Sequence, residues 1–224
     1  MTILWDLDAL VIQHGKHDPP NGSVAACAME ASYLRWAARQ GWSKKHIIEG
    51  WTDSLACVCP YIGAFVRKWN DGISDDATRT RIFTPEILDL LPDTKGDDAL
   101  MLRRMWIGID WDIRTCTPAF LRLANVEAQA VVLESLPPIR SQEDLASARM
   151  ACEDQEKVVA VRAAARDAAR DAARDAARDA AWAAARDAAR DAAWAAARNR
   201  LSTTVAAMQA SAVDLLRRMC AEKL

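Results

Sequence analysis

Apolar residues recur at helical spacing through most of the first 140 residues of this 224-residue chain. One clear example follows Ser23, a residue type that favours helix N-caps, and runs to about Gln40, where Gly41 ends it. Its apolar stripe consists of Val24, Cys27, Ala31, Leu34 and Ala38. The chain lacks the alternation of apolar and polar residues that indicates a sheet. The pattern therefore predicts an all-α protein.

Further helix starts are marked by capping residues or by proline in the first turn. They fall at Ser43, Pro60, Asp75 or Asp76, Thr84-Pro85, Asp97 or Asp98, Thr117-Pro118 and Val126. Residues 3–12 fit either a short helix or a strand, and residues 14–22 predict an ordered loop. Pro137-Pro138 closes this part, so we predict a compact multi-helix domain over residues 1–140.

The remaining part, residues 141–224, is dominated by a four-residue repeat of Arg-Asp-Ala-Ala over Arg162–Arg198. Ala and Arg are strong helix formers, and this part contains neither Gly nor Pro. Ser141 offers a cap for the start of the helix. We therefore predict one long Ala-rich helix from there to about Arg200.

A conventional amphipathic helix is predicted at the C-terminus. Ser202-Thr203-Thr204 is the one candidate interruption before it. Its apolar stripe consists of Val205, Met208, Ala212, Leu215, Leu216 and Met219. The pattern leaves open whether this helix continues the long one or folds back on it.

Two tryptophans, Trp182 and Trp194, interrupt the Arg row of the repeat. The repeat lacks the Leu and Ile core of a leucine zipper, and a period of four winds differently from a heptad. One interpretation is a solvated, charge-balanced spacer. The other is a helix that self-associates or docks on a protein partner through Trp182 and Trp194, since large aromatic residues are favoured at interfaces.

Charge narrows the classes of partner. The formal net charge is −2, and Lys and Arg are balanced by Asp and Glu on both sides of residue 141. A basic face for nucleic acid is therefore absent from the sequence. No apolar run approaches the ~20 residues of a membrane span, and the first residues lack the features of a signal peptide. We expect a cytoplasmic protein that binds neither nucleic acid nor membrane.

A compact set of His and Cys residues is the candidate for chemistry. His17 in the loop, Cys27 in the first helix, and Cys57 and Cys59 before Pro60 offer four ligands of the type that zinc prefers. A zinc site would suit a domain of short helices. The Cys-x-Cys spacing is less usual than Cys-x-x-Cys, and no second paired motif accompanies it.

Two other interpretations of the same residues stay open. Cys57 or Cys59 could be a nucleophile beside His17, with Asp53 or Glu30 as the orienting acid, because a thiolate is favoured near a helix N-terminus. Alternatively the cysteines are small buried apolar residues and His17 bonds to backbone. In a reducing cytosol, the cysteines are expected to be thiols or ligands rather than disulfides.

Several motifs resemble a family of uncharacterised proteins from phages and GC-rich bacteria. They are Gly15–Gly22, Cys27-Ala28-Met29-Glu30-Ala31 with Tyr33, Asp53–Pro60 with its Cys-Val-Cys-Pro, Phe65–Asp71, Asp110–Arg114 and Thr117–Leu121. The resemblance covers about residues 10–136, and members often carry tails of Ala-Ala-Arg-Asp and Ala-Ala-Trp units. It implies no established activity; it directs attention to the same Cys and His residues.

These observations favour a non-enzymatic interaction protein whose long helix serves self-association or docking. The resemblance would allow a phage accessory role that acts on a host protein. The alternative is a small Cys- or zinc-dependent enzyme with its site between the His17 loop and the Cys57–Cys59 segment.

Overall fold

The computed structural model describes residues 5–7, 10–19, 25–152 and 183–223, with the backbone alone for residues 151–152 and 183–199. The described chain is mainly helical, as predicted. The helices are α1 (Ala28–Arg39), α2 (Lys44–Glu49), α3 (Pro60–Gly72), α4 (Asp76–Ile82), α5 (Pro85–Leu88), α6 (Asp98–Trp111), α7 (Thr117–Leu123), α8 (Glu127–Ser135), α9 (Gln142–Cys152) and α10 (Ala183–Ala221). A π-helical turn over Asp112–Cys116 joins α6 to α7.

A short pair of parallel strands departs from the all-α prediction. Strand β1 (Val11–Ile12) pairs with strand β2 (Ala25–Ala26). The backbone N–H of Ile12 also donates to the hydroxyl of Thr80 in α4 at 3.0 Å. A strand of two residues is too short to show an alternating pattern, so the sequence could not reveal it.

The first helix begins later than the sequence suggested. Residues 25–26 are extended, and α1 starts at Ala28 with Cys27 as its N-cap. The predicted cap at Ser23 is therefore wrong as the start of this helix, and Ser23 itself lies outside the described residues. At the other end the prediction holds: α1 ends at Arg39, and Gly41 follows with a φ of 71°. Glycine adopts this left-handed conformation with little strain.

Most other helix starts are confirmed because their caps are local. Ser43 accepts a hydrogen bond from the N–H of His46, and Asp75 accepts one from the N–H of Thr78. Proline occupies the first turn of α3, α5 and α7, as predicted. Asp97 accepts from the N–H of Leu100 at the start of α6.

Contacts divide the chain into two compact units, which differ from the predicted division after residue 140. Unit 1 comprises residues 1–108 and 212–224, and unit 2 comprises residues 109–211. In unit 1, α1 lies at the centre and packs against α3 and α5. The last turns of α10 complete this core. Its fully buried side chains include Met29, Leu34, Ile62, Phe83, Leu91, Leu215, Leu216 and Met219.

Unit 2 is built around α7 and α8, which pack closely together. Asp110 supports the turn that follows: its carboxylate pairs with Arg114 at 3.1 Å and accepts from the N–H of Ile139 at 2.9 Å. These contacts give Asp110 a structural role in unit 2. Trp111 donates from Nε1 to the hydroxyl of Ser211 at 2.8 Å.

The long helix α10 has 39 residues, which corresponds to roughly 58 Å. It passes through the candidate interruption at Ser202-Thr203-Thr204 without a break, so of the two alternatives the C-terminal amphipathic segment continues the helix. Residues 153–182 of the predicted helix lie outside the described residues. Among the described helices, none is long and apolar enough to cross a membrane.

Candidate functional site

Cys27 and Glu30 form a reciprocal cap at the start of α1. The Cys27 thiol accepts from the N–H of Glu30 at 3.5 Å, and the Glu30 carboxylate accepts from the N–H of Cys27 at 2.8 Å. This is a capping box with sulfur in place of the usual hydroxyl. Both residues are buried, Cys27 at 4% and Glu30 at 0% exposure. The arrangement fixes a buried carboxylate at the N-terminus of α1, where a negative charge is favoured.

His17 completes this cluster from the preceding loop. Its backbone N–H donates to Oε1 of Glu30 at 2.8 Å, and its Nδ1 lies 3.0 Å from Oε2. The carbonyl of His17 accepts from the indole of Trp51 at 2.7 Å. We call His17, Cys27 and Glu30 the Glu30 cluster. Both oxygens of the buried carboxylate thus accept hydrogen bonds, which offsets the cost of burying it.

The Cys27 thiol is held in its neutral form. Burial raises the pKa of this thiol to about 12, with a smaller contribution from the nearby Glu30 carboxylate. A thiol must ionise to act as a nucleophile, so this pKa opposes that role near neutral pH. The Glu30 cluster is built to cap a helix and to hold the loop.

Cys57 and Cys59 belong to a second set of contacts. The N–H of Cys59 donates to the hydroxyl of Thr94 at 3.1 Å, and the carbonyl of Cys57 accepts from the N–H of Lys95 at 2.9 Å. Cys59 is buried at 1% exposure and precedes Pro60 as the N-cap of α3, as expected. The segment is therefore tied to the Thr94 loop through its backbone.

The structure gives the zinc hypothesis no support. Within the described parts of the chain, which include His17, Cys27, Cys57 and Cys59, no three His, Cys, Asp or Glu side chains are placed to hold a metal ion. The described cysteines are all thiols: Cys27, Cys57, Cys59, Cys116 and Cys220. Zinc binding by this chain stays a prediction.

The structure brings only some of the residues of the nucleophile hypothesis into contact with His17 among the residues it describes. Glu30 contacts His17, as one version of it requires. The other candidate acid, Asp53, is placed only through its carbonyl, which accepts from Arg67 at 3.0 Å. Over the described residues, no thiol or hydroxyl hydrogen bonds to Nε2 of His17, the atom that a nucleophile would need.

The structure does not describe the side chains of the two predicted docking residues. Trp182 is outside the described residues. Trp194 is within α10, but its side chain is likewise outside them. Their proposed role in an interface therefore stays a prediction.

Sequence reasoning missed a buried arginine. Arg104 is 1% exposed and donates to the backbone carbonyls of Met219, Glu222 and Thr94. The Thr94 hydroxyl in turn receives the N–H of Cys59. The position of Arg104 among apolar residues of α6 could have indicated that it is buried. Its partners could not have been predicted, because Met219 and Glu222 are distant in sequence.

Comparison with protein-family models, with curated proteins and with solved structures found no match for this chain.

Proposed function

We propose that this protein is a non-enzymatic interaction protein that self-associates through α10. The observation that carries the proposal is an exposed apolar pair on this helix. Leu201 is 48% exposed and Val205 is 38% exposed. They lie four residues apart, so they are neighbours on one face of the helix. Exposed apolar side chains at this spacing are the pattern by which one helix docks on another.

The repeat sequence of Arg162–Arg198 favours a second copy as the partner. Most Arg residues in it are followed directly by Asp, and Ala residues separate these pairs. Two copies can place the Arg row of one chain against the Asp row of the other. Such a pattern is complementary to itself, and small residues let two helices approach closely.

A non-enzymatic role is supported by the structural contacts that the candidate catalytic and metal-binding residues form. The Glu30 carboxylate is occupied by N–H donors and the Cys27 thiol has a raised pKa. Cys59 occupies the N-cap position of α3, and its N–H donates to the hydroxyl of Thr94. These are the contacts of a scaffold. The accessory action on a host protein that the family resemblance would allow stays a prediction.

Sedimentation velocity over a range of protein concentrations tests the proposal. We expect particles of at least two chains for the natural sequence. The double variant Leu201→Asp, Val205→Asp should sediment as a monomer, because two carboxylates would be buried at the interface.

The matched control is Ala210→Asp. Ala210 is exposed on the same helix, roughly 180° around it from Leu201. This variant adds the same residue type on the opposite face and should associate like the natural protein. A monomer at every concentration, or full association of the double variant, would overturn the proposal.

A further inference from the structure

Unit 1 contains a cavity of about 230 Å³ beside the first turns of α3. Residues of the loop before α3 and of α3 itself line it, together with Met29 of α1 and Lys95, and it is open to solvent on one side. The described lining residues are Met29, Ser54, Leu55, Ala56, Val58, Cys59, Pro60, Gly63, Arg67 and Lys95. This cavity is separate from the Glu30 cluster, although both touch α1.

The charged residues of the cavity are all cations. Arg67 and Lys95 line it, and none of the described lining residues is acidic. Neither cation forms an ion pair with a carboxylate of the described residues. Two cations without counter-charges that face one cavity create a positive potential, which attracts an anion.

The loop before α3 binds the Arg67 guanidinium and the backbone of Lys95. Nη1 of Arg67 donates to the carbonyl of Asp53 at 3.0 Å, at the start of the loop. The N–H of Lys95 donates to the carbonyl of Cys57 at 2.9 Å, near its end. A guanidinium has five N–H donors, so Arg67 keeps donors for a ligand after this bond. The positive N-terminal end of α3 adds to the same field.

Apart from Ser54, the uncharged side chains of the lining are apolar or are small cysteine and glycine residues. Met29 is 1% exposed, Val58 5% and Leu55 6%, so these side chains form a buried apolar wall. The cavity is smaller than the roughly 300–1,000 Å³ of ordinary ligand pockets. It therefore suits a molecule of few atoms that has one anionic end and one short apolar end.

We propose that this cavity binds a small monocarboxylate, with Arg67 and Lys95 on the carboxylate and the Met29, Leu55 and Val58 side chains around the apolar chain. The planar guanidinium matches the two oxygens of a carboxylate. The proposal is independent of self-association through α10, because every residue in it belongs to unit 1.

Gly63 supplies a variant that narrows the cavity with little disturbance. A methyl group at this position would lie 3.5 Å from Nη1 of Arg67, and 3.7 Å from both Cε of Met29 and Cγ1 of Val58. These are ordinary contact distances, and Ala is favoured over Gly within a helix. Gly63→Ala should therefore fold normally while occupying part of the space that a ligand needs.

The test is an NMR titration of the full chain at constant ionic strength, with sodium hexanoate as the probe. We expect saturable binding at one site. Hexanol, which has the chain without the charge, and inorganic phosphate, which has charge without the chain, should each bind at least about tenfold more weakly. Equal binding of phosphate would overturn the assignment to a monocarboxylate, and equal binding of hexanol would overturn the role of the cations.

Variants locate the site. Lys95→Met and Arg67→Met should each weaken hexanoate binding by about tenfold, which corresponds to one charged hydrogen bond. Gly63→Ala should also weaken it, because the added methyl group takes part of the space between Arg67, Met29 and Val58. Lys68→Met is the matched control, because Lys68 is an exposed cation on α3 that does not line the cavity, and it should change the affinity less than about twofold. No saturable binding to the natural protein, or unchanged binding in both Lys95→Met and Gly63→Ala, would overturn the proposal.

Discussion

Nε of Arg104 donates to the backbone carbonyl of Met219 at 2.8 Å, although the two residues are 115 positions apart. The same guanidinium donates to the carbonyl of Glu222 at 2.9 Å and to that of Thr94. Carbonyls at the end of a helix have no partners within the helix and carry its negative pole. Arg104 therefore holds the end of α10 in the core of unit 1.

We expect Arg104→Met to lower the free energy of unfolding by about 3 kcal/mol or more, because it leaves buried carbonyls without donors. Urea denaturation at fixed protein concentration measures this. Arg103→Met is the matched control. Its side chain is 45% exposed and pairs with Glu222 at 3.2 Å, so its loss should cost less than about 1 kcal/mol. Similar stabilities for the two variants would contradict the role assigned to Arg104.

Glu30→Gln should destabilise the protein by about 2 kcal/mol. The amide has the shape of the carboxylate, but its NH₂ group would face one of the N–H donors of His17 or Cys27. Chemical denaturation measures the change. Glu49→Gln, at an exposed residue 3.8 Å from Lys45, should stay within about 0.5 kcal/mol of the natural protein. A Glu30→Gln protein as stable as this control would show that the Glu30 cluster contributes little.

Stability should fall in alkaline solution through the Cys27 thiol. Burial raises the pKa of this thiol from its ordinary value of 9.0 to about 12. Above pH 9.0 the unfolded chain loses this proton while the folded chain keeps it, so the contribution is full below that pH and is lost as the pH rises towards about 12.

The measurement is the free energy of unfolding of the natural protein and of Cys27→Ser from about pH 8 to about pH 10.5. Serine keeps a capping oxygen and does not titrate there. The natural protein should lose up to about 1.4 kcal/mol more per pH unit than the variant. Parallel pH profiles would contradict the raised pKa.

Gly50→Ala should destabilise unit 1 through Tyr33. A methyl group at Gly50 would lie 2.5 Å from the Tyr33 hydroxyl, which donates to the carbonyl of Ile47 at 3.1 Å. The hydroxyl would have to move, so we expect a loss of about 1–2 kcal/mol in thermal or urea unfolding. Gly72→Ala, where nothing lies within 4 Å of the added methyl, should be neutral or stabilising.

A double-mutant cycle isolates this clash. Tyr33→Phe removes the hydroxyl and leaves the nearest ring carbon 3.6 Å from the added methyl. Adding Gly50→Ala to Tyr33→Phe should therefore cost less than adding it to the natural sequence. Equal costs in the two backgrounds would show that the clash is not with the hydroxyl.

Local chemistry determined where many helices begin. Ser43, Asp75 and Asp97 satisfy N–H groups three residues away, and proline fits the first turn of α3 because its missing N–H is not needed there. The later part of the predicted stripe of α10 is confirmed, since Ala212, Leu215, Leu216 and Met219 are buried at helical spacing, whereas Val205 at its start is exposed. These features depend on residues within one or two turns of each other, and the sequence therefore determined the mainly helical class.

Tertiary structure decided what the sequence could not. Cys27 rather than Ser23 caps α1, because the Glu30 carboxylate serves the Cys27 N–H and the distant His17 together. In the sequence, Arg67 and Lys95 cannot be distinguished from surface cations. In the fold, both line one cavity together with the loop between Asp53 and Cys59. Arg104 finds its acceptors at the far end of the chain. In each case the packing of the helices determines the partner. The spacing of apolar residues along the chain predicts helices but does not predict how they pack.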